Sequence, residues 1–494
     1  MLKNKKPRVR FAPSPTGYLH IGGLRTALYS FLYAKKYKGE YFLRIEDTDQ
    51  KRLVPGSIEK LLESLKWAGI IHDEGVFIDE LGNIVEKGEF GPYIQSKRLE
   101  IYQKYAHELV KEGKAYYCFC TPERLDTLRA VQEKAKLAPA YDKLCLKTYS
   151  REEAEKKIKN GENYVIRFDV PETGETEFED AVRGKMKFVN KNLDDFVLLK
   201  SDGYPTYHLA HIIDDHLMKT TLVIRGEEWL PSTPKHILIF QAFGWAPPQY
   251  AHLSTILNKN TKKKLYKRDG DVSVEDFKNK GYLPEAVVNF IALLGWNPKT
   301  EKEIFTLSEL AEEFDVAKLN KAGAIFDLEK LDWMNGLYIR EKNIKELVEL
   351  CRPYLAKYEE KLSGDYLEKI VSVERERMKK ISDIAENTEF YFDAPEYDSK
   401  ILKWKDMIDD DLKNSLNKSL EILSEIEEKN WELENLKNRL MEAADPGSRG
   451  ELLWPLRVAL TGKEKSPSPF EVAWVIGKDE SIKRVSNAIE LAKG

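Results

Sequence analysis

A histidine and two glycines open a helical pattern near the amino terminus of the chain: His20 is followed by Gly22 and Gly23. Glycines let a backbone approach a nucleotide closely, N–H groups at a helix start bind phosphate, and a histidine can donate to a phosphoryl oxygen as charge develops on it. A second segment, residues 264–268 with the sequence Lys-Leu-Tyr-Lys-Arg, concentrates cations far downstream. A His-x-Gly motif alone is more often a plain helix cap, but the two motifs together indicate chemistry on ATP.

The residues around the first motif predict the elements that hold it. Val9 and Phe11 are typical of the end of a strand, and residues 13–17 carry the prolines and the glycine of a tight loop. Apolar residues then recur at helical spacing: Leu24, Ala27, Leu28, Phe31 and Leu32. The sequence therefore predicts a strand, a loop and a helix, with the histidine at the helix start.

Several ordered segments carry a family resemblance. Residues 10–23, 43–49 and 264–268 together resemble class I aminoacyl-tRNA synthetases, and specifically the bacterial-type glutamyl-tRNA synthetases. The resemblance covers nearly the whole chain, because it continues through residues 204–210, 214–216, 224–229, 326–331 and 454–462. It implies activation of L-glutamate with ATP and Mg²⁺ to glutamyl-adenylate, followed by transfer to the 3′ end of tRNA(Glu).

Other functions remain open at this point. The resemblance equally allows an enzyme that also charges tRNA(Gln). A non-catalytic tRNA-binding paralogue would share the fold, a truncated paralogue would lack the helical carboxyl third, and a small nucleotidyltransferase would share only the ATP motifs. Relatives of this type generally need bound tRNA before they activate glutamate.

The resemblance implies a class I Rossmann-like α/β catalytic domain with an α+β insertion, a linking domain and an all-helical anticodon-binding domain. The expected boundaries are 1–95 and 204–256 for the two catalytic halves, 96–203 for the inserted acceptor-end-binding domain, 257–343 for the linking domain with the lysine loop, and 344–494 for the helical domain. The β-rich runs 197–199 and 222–224, separated by a helical stretch, predict parallel strands of one sheet.

Glutamate has one ammonium and two carboxylates, so its pocket needs an acidic partner and cationic ones. By the resemblance, the glutamate ligands are Arg10, Ala12, Ser14, Glu46, Tyr207, His211 and Arg225. The same resemblance gives His20, Gly22, Gly23, Glu228, Trp229, Lys264 and Lys267 to ATP, with His20, Gly22, Lys264 and Lys267 catalytic. Ligands bind at the carboxyl ends of strands in open sheets, where Arg10, Glu46 and Arg225 are expected to meet.

Two positions depart from the family pattern. His211 stands where some relatives have asparagine, so it either replaces an amide donor or faces the core. Tyr266 stands where the lysine loop normally has serine. Because both lysines are retained, we expect altered closure of the loop rather than lost activity.

Three of the four cysteines fall in one region. Cys118, Cys120, Tyr141 and Cys145 resemble the zinc-binding insertion of some relatives, in which three thiolates and a phenolate would close a tetrahedral site. The alternative is a cluster of small buried side chains without metal. Cys351 stands alone and is expected in a core.

The helical carboxyl third is expected to meet the anticodon. Arg377 resembles an anticodon-reading arginine of the family, and Thr461 is expected in a loop that faces the anticodon. A helix-face ion pair is the competing explanation for Arg377.

Composition sets independent limits. The chain has 494 residues, of which 42% are hydrophobic and 33% charged, which suits a folded protein with several cores. The sequence holds neither an apolar stretch of about 18 residues nor a signal-peptide pattern, so we expect a cytoplasmic protein without a membrane partner. The resemblance implies a monomer. The formal net charge of −4 is not that of a typical RNA binder, but residues 259–268 concentrate cations locally.

Overall fold

The computed structural model describes residues 6–266 and 272–492, and these fall into two compact units. The first unit comprises residues 1–278 and 287–327, and the second comprises 279–286 and 328–494. The strands are β1 Arg8–Phe11, β2 Glu40–Leu43, β3 Glu74–Ile78, β4 Ile84–Lys87, β5 Ala115–Cys118, β6 Val165–Phe168, β7 Glu175–Asp180, β8 Gly184–Val189, β9 Val197–Leu199, β10 Leu222–Gly226, β11 Gln249–Leu253, β12 Ile256–Asn258 and β13 Ala324–Phe326.

Helices account for most of the remaining chain. They are α1 Ile21–Lys36, α2 Ser57–Trp67, α3 Leu99–Lys111, α4 Pro122–Lys134, α5 Leu144–Thr148, α6 Arg151–Lys159, α7 Tyr207–Leu217, α8 Thr233–Ala242, α9 Val274–Asn279, α10 Pro284–Leu293, α11 Leu307–Glu313, α12 Leu328–Glu341, α13 Ile344–Cys351, α14 Gly364–Glu374, α15 Asp383–Asn387, α16 Glu389–Phe392, α17 Asp409–Glu425, α18 Leu433–Ala443, α19 Arg449–Thr461, α20 Pro469–Ile476 and α21 Lys478–Leu491. A short 3-10 segment, Glu227–Ser232, joins β10 to α8.

An eight-stranded sheet organises the first unit, in the order β4-β3-β2-β1-β10-β11-β7-β8. The inner strands from β3 to β7 pair in parallel, whereas β4 and β8 are antiparallel edges. The register sets Val9 opposite Leu222 and Arg225 opposite His252. Parallel strands need crossover connections, which is why α1 lies between β1 and β2 in the chain and α8 lies between β10 and β11. This is the Rossmann-like α/β architecture that the resemblance implies.

Two smaller sheets lie in the same unit. Strands β5, β6 and β9 form an antiparallel sheet, and β12 pairs with β13 in parallel. The prediction that residues 197–199 pair in parallel within the main sheet is therefore wrong. β9 instead takes β6 as its neighbour, while β10 is flanked by β1 and β11. The periodicity identified both strands but carries no information on pairing partners.

The expected domain boundaries stay predictions, and the structure adds two observations about these ranges. Strands β7 and β8 lie within the range 96–203 expected for the insertion, and they extend the eight-stranded sheet through β11. The chain passes from the first compact unit to the second at 279, returns at 287 and passes again at 328, so the expected linking range 257–343 contributes to both units.

The second unit is wholly helical in its described residues from α12 to α21. Its core is one apolar cluster that includes Leu347, Leu367, Leu416 and Leu456. The helical carboxyl third predicted from the 3.6-residue apolar spacing is confirmed. Among the residues that the structure describes, no helix combines the length and the apolar character needed to cross a membrane.

Candidate functional site: a cavity at the carboxyl ends of the central strands

A cavity of ≈ 1140 Å³ opens at the carboxyl ends of β1 and β10 in the first unit. It brings together most of the residues predicted for ATP and glutamate: Arg10, Ala12, Ser14, His20, Gly22, Gly23, Glu46, Tyr207, Arg225, Glu228, Trp229 and Lys264. Lys267 lies outside the described residues. Ligand sites of open α/β sheets occupy this edge because strand order reverses there and the loops splay apart.

His20 is the N-cap of α1, and its ring orientation is set by the backbone. The N–H of Gly22 donates to His20 Nδ1 at 3.0 Å. A neutral ring with an accepting Nδ1 carries its proton on Nε2, so the second nitrogen is a donor. A Cβ atom at Gly23 would come within 2.9 Å of Leu19 Cδ1, so a larger residue there would require the Leu19 side chain to move.

Arg10 is a buried cation with a carboxylate partner. Its Nε lies 3.1 Å from Asp215 Oδ1, and the same oxygen lies 2.9 Å from Nη1 of Arg44. Burial alone raises the pKa of Asp215, but the two guanidinium groups lower it more, so the net pKa lies well below its usual range. Arg10 therefore reaches the cavity with a carboxylate partner that it shares with Arg44.

Glu46 supplies the acidic wall of the cavity. Its carboxylate lies 3.0 Å from Arg44 Nη2, and its backbone N–H donates to the carbonyl of Pro13 at 3.0 Å, which ties the loop of residues 13–17 to β2's continuation. Burial raises the pKa of Glu46, although Arg44 and Arg10 oppose that effect. With Ser14 beside it in the lining, Glu46 offers a site for an ammonium group.

Arg225 differs from Arg10 because its partners are neutral. Its Nε donates to His252 Nε2 at 3.1 Å and its Nη1 to the hydroxyl of Tyr207 at 3.2 Å. Its Nη2 donates to Thr233 Oγ1 at 2.9 Å. Among the residues that the structure describes, no carboxylate lies within ion-pair distance of Arg225. A buried guanidinium of this kind attracts an anionic ligand.

Tyr207 is held between two rings. The ring of Trp229 lies 4.1 Å from it on one side, and His211 stacks at 4.2 Å on the other. His211 donates from Nδ1 to the carbonyl of Tyr207 and is not among the described residues that line the cavity. The expectation that His211 contacts glutamate is therefore corrected: its position behind Tyr207 is the core alternative, and burial lowers its pKa well below the usual value.

The described part of the lysine loop forms a turn against β12. Leu265 donates its backbone N–H to the carbonyl of Ile256 at 2.9 Å, which places Lys264 and Tyr266 in the cavity lining. The side chain of Tyr266 is 47% exposed. An aromatic ring rather than a small hydroxyl thus occupies the cavity side of this loop.

Four donor atoms converge near the three-stranded sheet. The sulfur atoms of Cys118, Cys120 and Cys145 all lie within 4.8 Å of one another. The hydroxyl of Tyr141 lies 3.4 Å from the first sulfur and 3.3 Å from the second. The hydrogen bond between Cys118 and Cys145 is the main cause that lowers the pKa of Cys118 to about 4 and raises the pKa of Cys145, so it favours a thiolate at Cys118 and a thiol at Cys145. The predicted ligand set thus fits a tetrahedral metal site.

The two residues predicted for anticodon contact, both in the second unit, differ in exposure. Arg377 is 39% exposed along its side chain, and its Nε lies 3.8 Å from the buried carboxylate of Glu374. Thr461 ends α19 with 1% exposure, and its hydroxyl donates to the carbonyl of Arg457 at 2.7 Å. The expectation that Thr461 lies in a loop facing the anticodon is corrected, because this hydroxyl is used inside the fold.

Sequence reasoning missed the groups behind Arg225, namely Asp180, Thr233, His236 and His252. Asp180 and His252 are 72 residues apart and carry no local motif. The signal that unites them is the pairing of β7 with β11, which sets Tyr250 opposite Asp180.

Comparison with known proteins yields two family matches. The family described as tRNA synthetases class I (E and Q), catalytic domain, matches residues 6–333. The family described as anticodon binding domain matches residues 346–489.

Individual relatives match over almost the full length. Glutamate–tRNA ligase of Finegoldia magna is 46% identical, with 98% of this chain and 99% of that protein covered. Glutamate–tRNA ligase of Clostridioides difficile is 46% identical over 97% of this chain and 98% of its own. The crystal structure of a glutamate tRNA ligase from Elizabethkingia meningosepticum in complex with its amino acid has a TM-score of 0.88 and 39% identity, with 98% and 99% of the two chains covered.

Proposed function

The chain belongs to the glutamate–tRNA ligases of class I, and we propose that the cavity described above is where it joins L-glutamate to ATP and then passes the glutamyl group to tRNA(Glu). One observation carries this assignment of the site. Arg225, which has no carboxylate partner among the described residues, lines the same cavity as His20 and Lys264, the side chains predicted to bind phosphate. An anionic amino acid and a nucleotide therefore have complementary partners within one space.

The proposed roles follow from the charges. Glu46 and Ser14 receive the ammonium group of glutamate, and Arg10 and Arg225 receive its carboxylates. Glutamine replaces one carboxylate with a neutral amide and would leave a buried cation only partly compensated, at a cost of about 1–3 kcal/mol. Gly22, Gly23, Glu228 and Trp229 surround the nucleotide.

The reaction requires mainly that the substrates are positioned and that the charge developing on phosphate is stabilised. An oxygen of the glutamate α-carboxylate attacks the α-phosphorus of ATP, and pyrophosphate leaves. His20 donates from Nε2 to a phosphoryl oxygen as charge accumulates, and Lys264, joined by Lys267 of the same loop, neutralises the departing pyrophosphate. Mg²⁺, when bound with ATP, supplies further charge neutralisation on phosphate oxygens. A terminal ribose hydroxyl of tRNA then attacks the acyl carbon, and AMP leaves.

The remaining assignments are also proposals. Residues 96–203 hold the acceptor end of tRNA, 257–343 link the domains, and 344–494 contact the anticodon, with Arg377 as a base-contacting side chain. Cys118, Cys120, Tyr141 and Cys145 hold a structural zinc ion, a function that the convergence of three sulfurs supports. We propose that the chain acts as a monomer in the cytoplasm, the compartment in which its substrates meet.

Glutamate-dependent exchange between ATP and pyrophosphate tests the proposed function. Measured with and without tRNA(Glu), exchange is expected only when tRNA is present, because tRNA completes the site in relatives of this type. Parallel charging of purified tRNA(Glu) and tRNA(Gln) determines the range of tRNA substrates. Absence of exchange under both conditions would contradict the assignment of this cavity.

A further inference from the structure

Within residues 6–266 and 272–492, the hydrogen-bond partners of Arg225 are neutral nitrogen and oxygen acceptors, and none of them carries an opposite charge. Beyond the bonds already described, its Nη2 lies 3.2 Å from Nδ1 of His236. A guanidinium can only donate hydrogen bonds. Each imidazole nitrogen that faces Arg225 must therefore be unprotonated, and this requirement fixes the tautomer of both histidines.

The second nitrogen of each ring must then carry the proton, and it needs an acceptor. Because His252 Nε2 accepts from Arg225, its proton is on Nδ1, which lies 2.6 Å from Oδ2 of Asp180. Asp180 is 1% exposed and His252 is fully buried. A buried carboxylate that accepts from one imidazole nitrogen selects the tautomer in which the other nitrogen is free to accept.

His236 and His208 form a second hydrogen-bonded pair behind Arg225. His236 accepts at Nδ1 and so carries its proton on Nε2, which lies 3.0 Å from Nδ1 of His208. Burial lowers the pKa of His236 well below its usual value and lowers the pKa of His208 to about 4. Neutral rings are therefore present at neutral pH, and no imidazolium competes with the arginine for an anion.

We propose that Asp180 is a positioning residue that acts through the tautomer of His252 to hold Arg225 as an uncompensated cation for a substrate carboxylate. The proposal rests on the function proposed for the cavity, in which Arg225 binds glutamate. Asp180 contributes orientation without an ion pair to the arginine, because the imidazole ring stands between the two charges.

Asp180→Asn tests the proposal because the two carboxylate oxygens accept hydrogen bonds from different donors. Asp180 Oδ1 accepts from the backbone N–H groups of Val182 at 3.0 Å and Arg183 at 2.8 Å. Asp180 Oδ2 also accepts from the backbone N–H of His252 at 3.2 Å. In Asp180→Asn, an amide oxygen at the Oδ1 position keeps the two shorter backbone bonds, so the NH₂ group replaces Oδ2, loses the longer backbone bond and faces Nδ1 of His252. The ring must then accept at Nδ1 and carry its proton on Nε2, where it meets the Nε–H of Arg225 donor to donor.

The experiment measures KM for glutamate and for ATP in the complete reaction with tRNA. Asp180→Asn is expected to raise KM for glutamate about 10- to 100-fold, with KM for ATP changed less than 3-fold. Asp195→Asn is the matched control: Asp195 is 2% exposed and also accepts a backbone N–H and a hydroxyl, those of Val170 and Tyr116. Equal rises in both KM values, or the same rise in the control, would overturn the proposal.

Histidine ring ¹⁵N NMR of the unsubstituted chain gives a second readout that needs no substrate. We expect an Nδ1-protonated, Nε2-unprotonated signal that disappears in His252→Gln and changes to the other tautomer in Asp180→Asn. An Nε2-protonated His252 in the unsubstituted chain would overturn the proposal even if Asp180→Asn failed to fold.

The two failures are distinguishable. Arg225→Lys tests the proposed function by itself, because an unchanged KM for glutamate in that variant removes Arg225 from the substrate site whatever the tautomer of His252. In a His252→Gln background, Asp180→Asn should add less than 3-fold to KM for glutamate, because no tautomer is left to switch. A full additional effect would overturn transmission through His252.

Discussion

Gly22 donates its backbone N–H to Nδ1 of His20 across 3.0 Å, and this bond gives the two ring nitrogens different roles. Nδ1 caps helix α1 by satisfying one of its unpaired donors. Nε2 keeps the proton and is the nitrogen that we propose donates to phosphate.

Substitution of His20 should therefore separate structure from catalysis. Asparagine is a good N-cap but has no atom at the Nε2 position, so His20→Asn should lower kcat about 100- to 1000-fold and leave stability nearly unchanged. His20→Ala should lower kcat equally and also destabilise the first unit by about 1 kcal/mol. Steady-state kinetics and chemical unfolding check both. Wild-type turnover in His20→Asn would contradict a catalytic role for this ring.

Zinc content tests the cysteine cluster. We expect about one zinc per chain in protein purified without chelator, and loss of that zinc in Cys118→Ser, together with a lower unfolding temperature. Tyr141→Phe should weaken zinc retention against a chelator, because it removes a hydroxyl 3.3 Å from Cys120 while keeping the ring. Cys351→Ser is the control, a fully buried thiol outside the cluster. Zinc-free protein with unchanged stability would favour the metal-free alternative.

Arg377 should affect tRNA and not the amino acid. Arg377→Ala is expected to raise KM for tRNA(Glu) about 10-fold, because arginine stacking or bonding to a splayed base contributes about 1–3 kcal/mol. KM for glutamate should not change. Arg375→Ala is a matched control, since this side chain is 36% exposed and lies 3.8 Å from Glu376. Equal effects of the two substitutions would indicate general surface charge instead of a specific contact.

Glu374 should make the second unit less stable at high pH. Burial raises the pKa of Glu374 from 4.5 to about 7, while Arg377 and Lys463 oppose the shift and Glu471 adds to it. The folded state binds this proton more tightly than the unfolded state. The contribution of Glu374 to the free energy of unfolding is therefore greatest below about pH 4.5 and declines as pH rises through about 7, by about 3 kcal/mol in total.

A neutral isostere checks this linkage. In Glu374→Gln the pH-dependent loss between about 4.5 and 7 should disappear, and the variant should be the more stable form at pH 8. The amide oxygen can still accept from the hydroxyl of Tyr391, which lies 3.3 Å from Glu374 Oε1. Glu376→Gln, at a site 63% exposed, should follow the unsubstituted chain. Parallel pH profiles for the Glu374→Gln variant and the unsubstituted chain would show that this carboxyl does not titrate as described.

The sequence predicted those parts of the fold that local spacing controls. The apolar stripe from Leu24 to Leu32 identified α1, and residues 197–199 were correctly recognised as a strand. Their partners were not accessible in the same way. Strand β9 pairs with β6, which lies about 30 residues earlier in the chain, and pairing over such separations leaves no trace in the periodicity of one strand.

The same distinction applies to the candidate site. Motif residues such as His20, Glu46 and Arg225 could be chosen in advance because they belong to ordered segments, and the fold brings them to one cavity. His211 lies one helical turn after Tyr207 in α7, and the sequence does not tell which of the two rings faces the cavity. The bond between Asp180 and His252 depends on the register of two strands, which spacing within either strand does not encode.

Strand β1 pairs with β2 on one side and with β10 on the other, so its two partners are made at very different times. At a synthesis rate of about 5–20 residues per second, β10 leaves the ribosome about 10–40 s after β1. During this interval β1 has one unpaired edge, and an unpaired strand edge is a template for intermolecular pairing. The order of synthesis therefore leaves the edge of β1 exposed until β10 is made, and a chaperone would need to bind this edge to prevent intermolecular pairing.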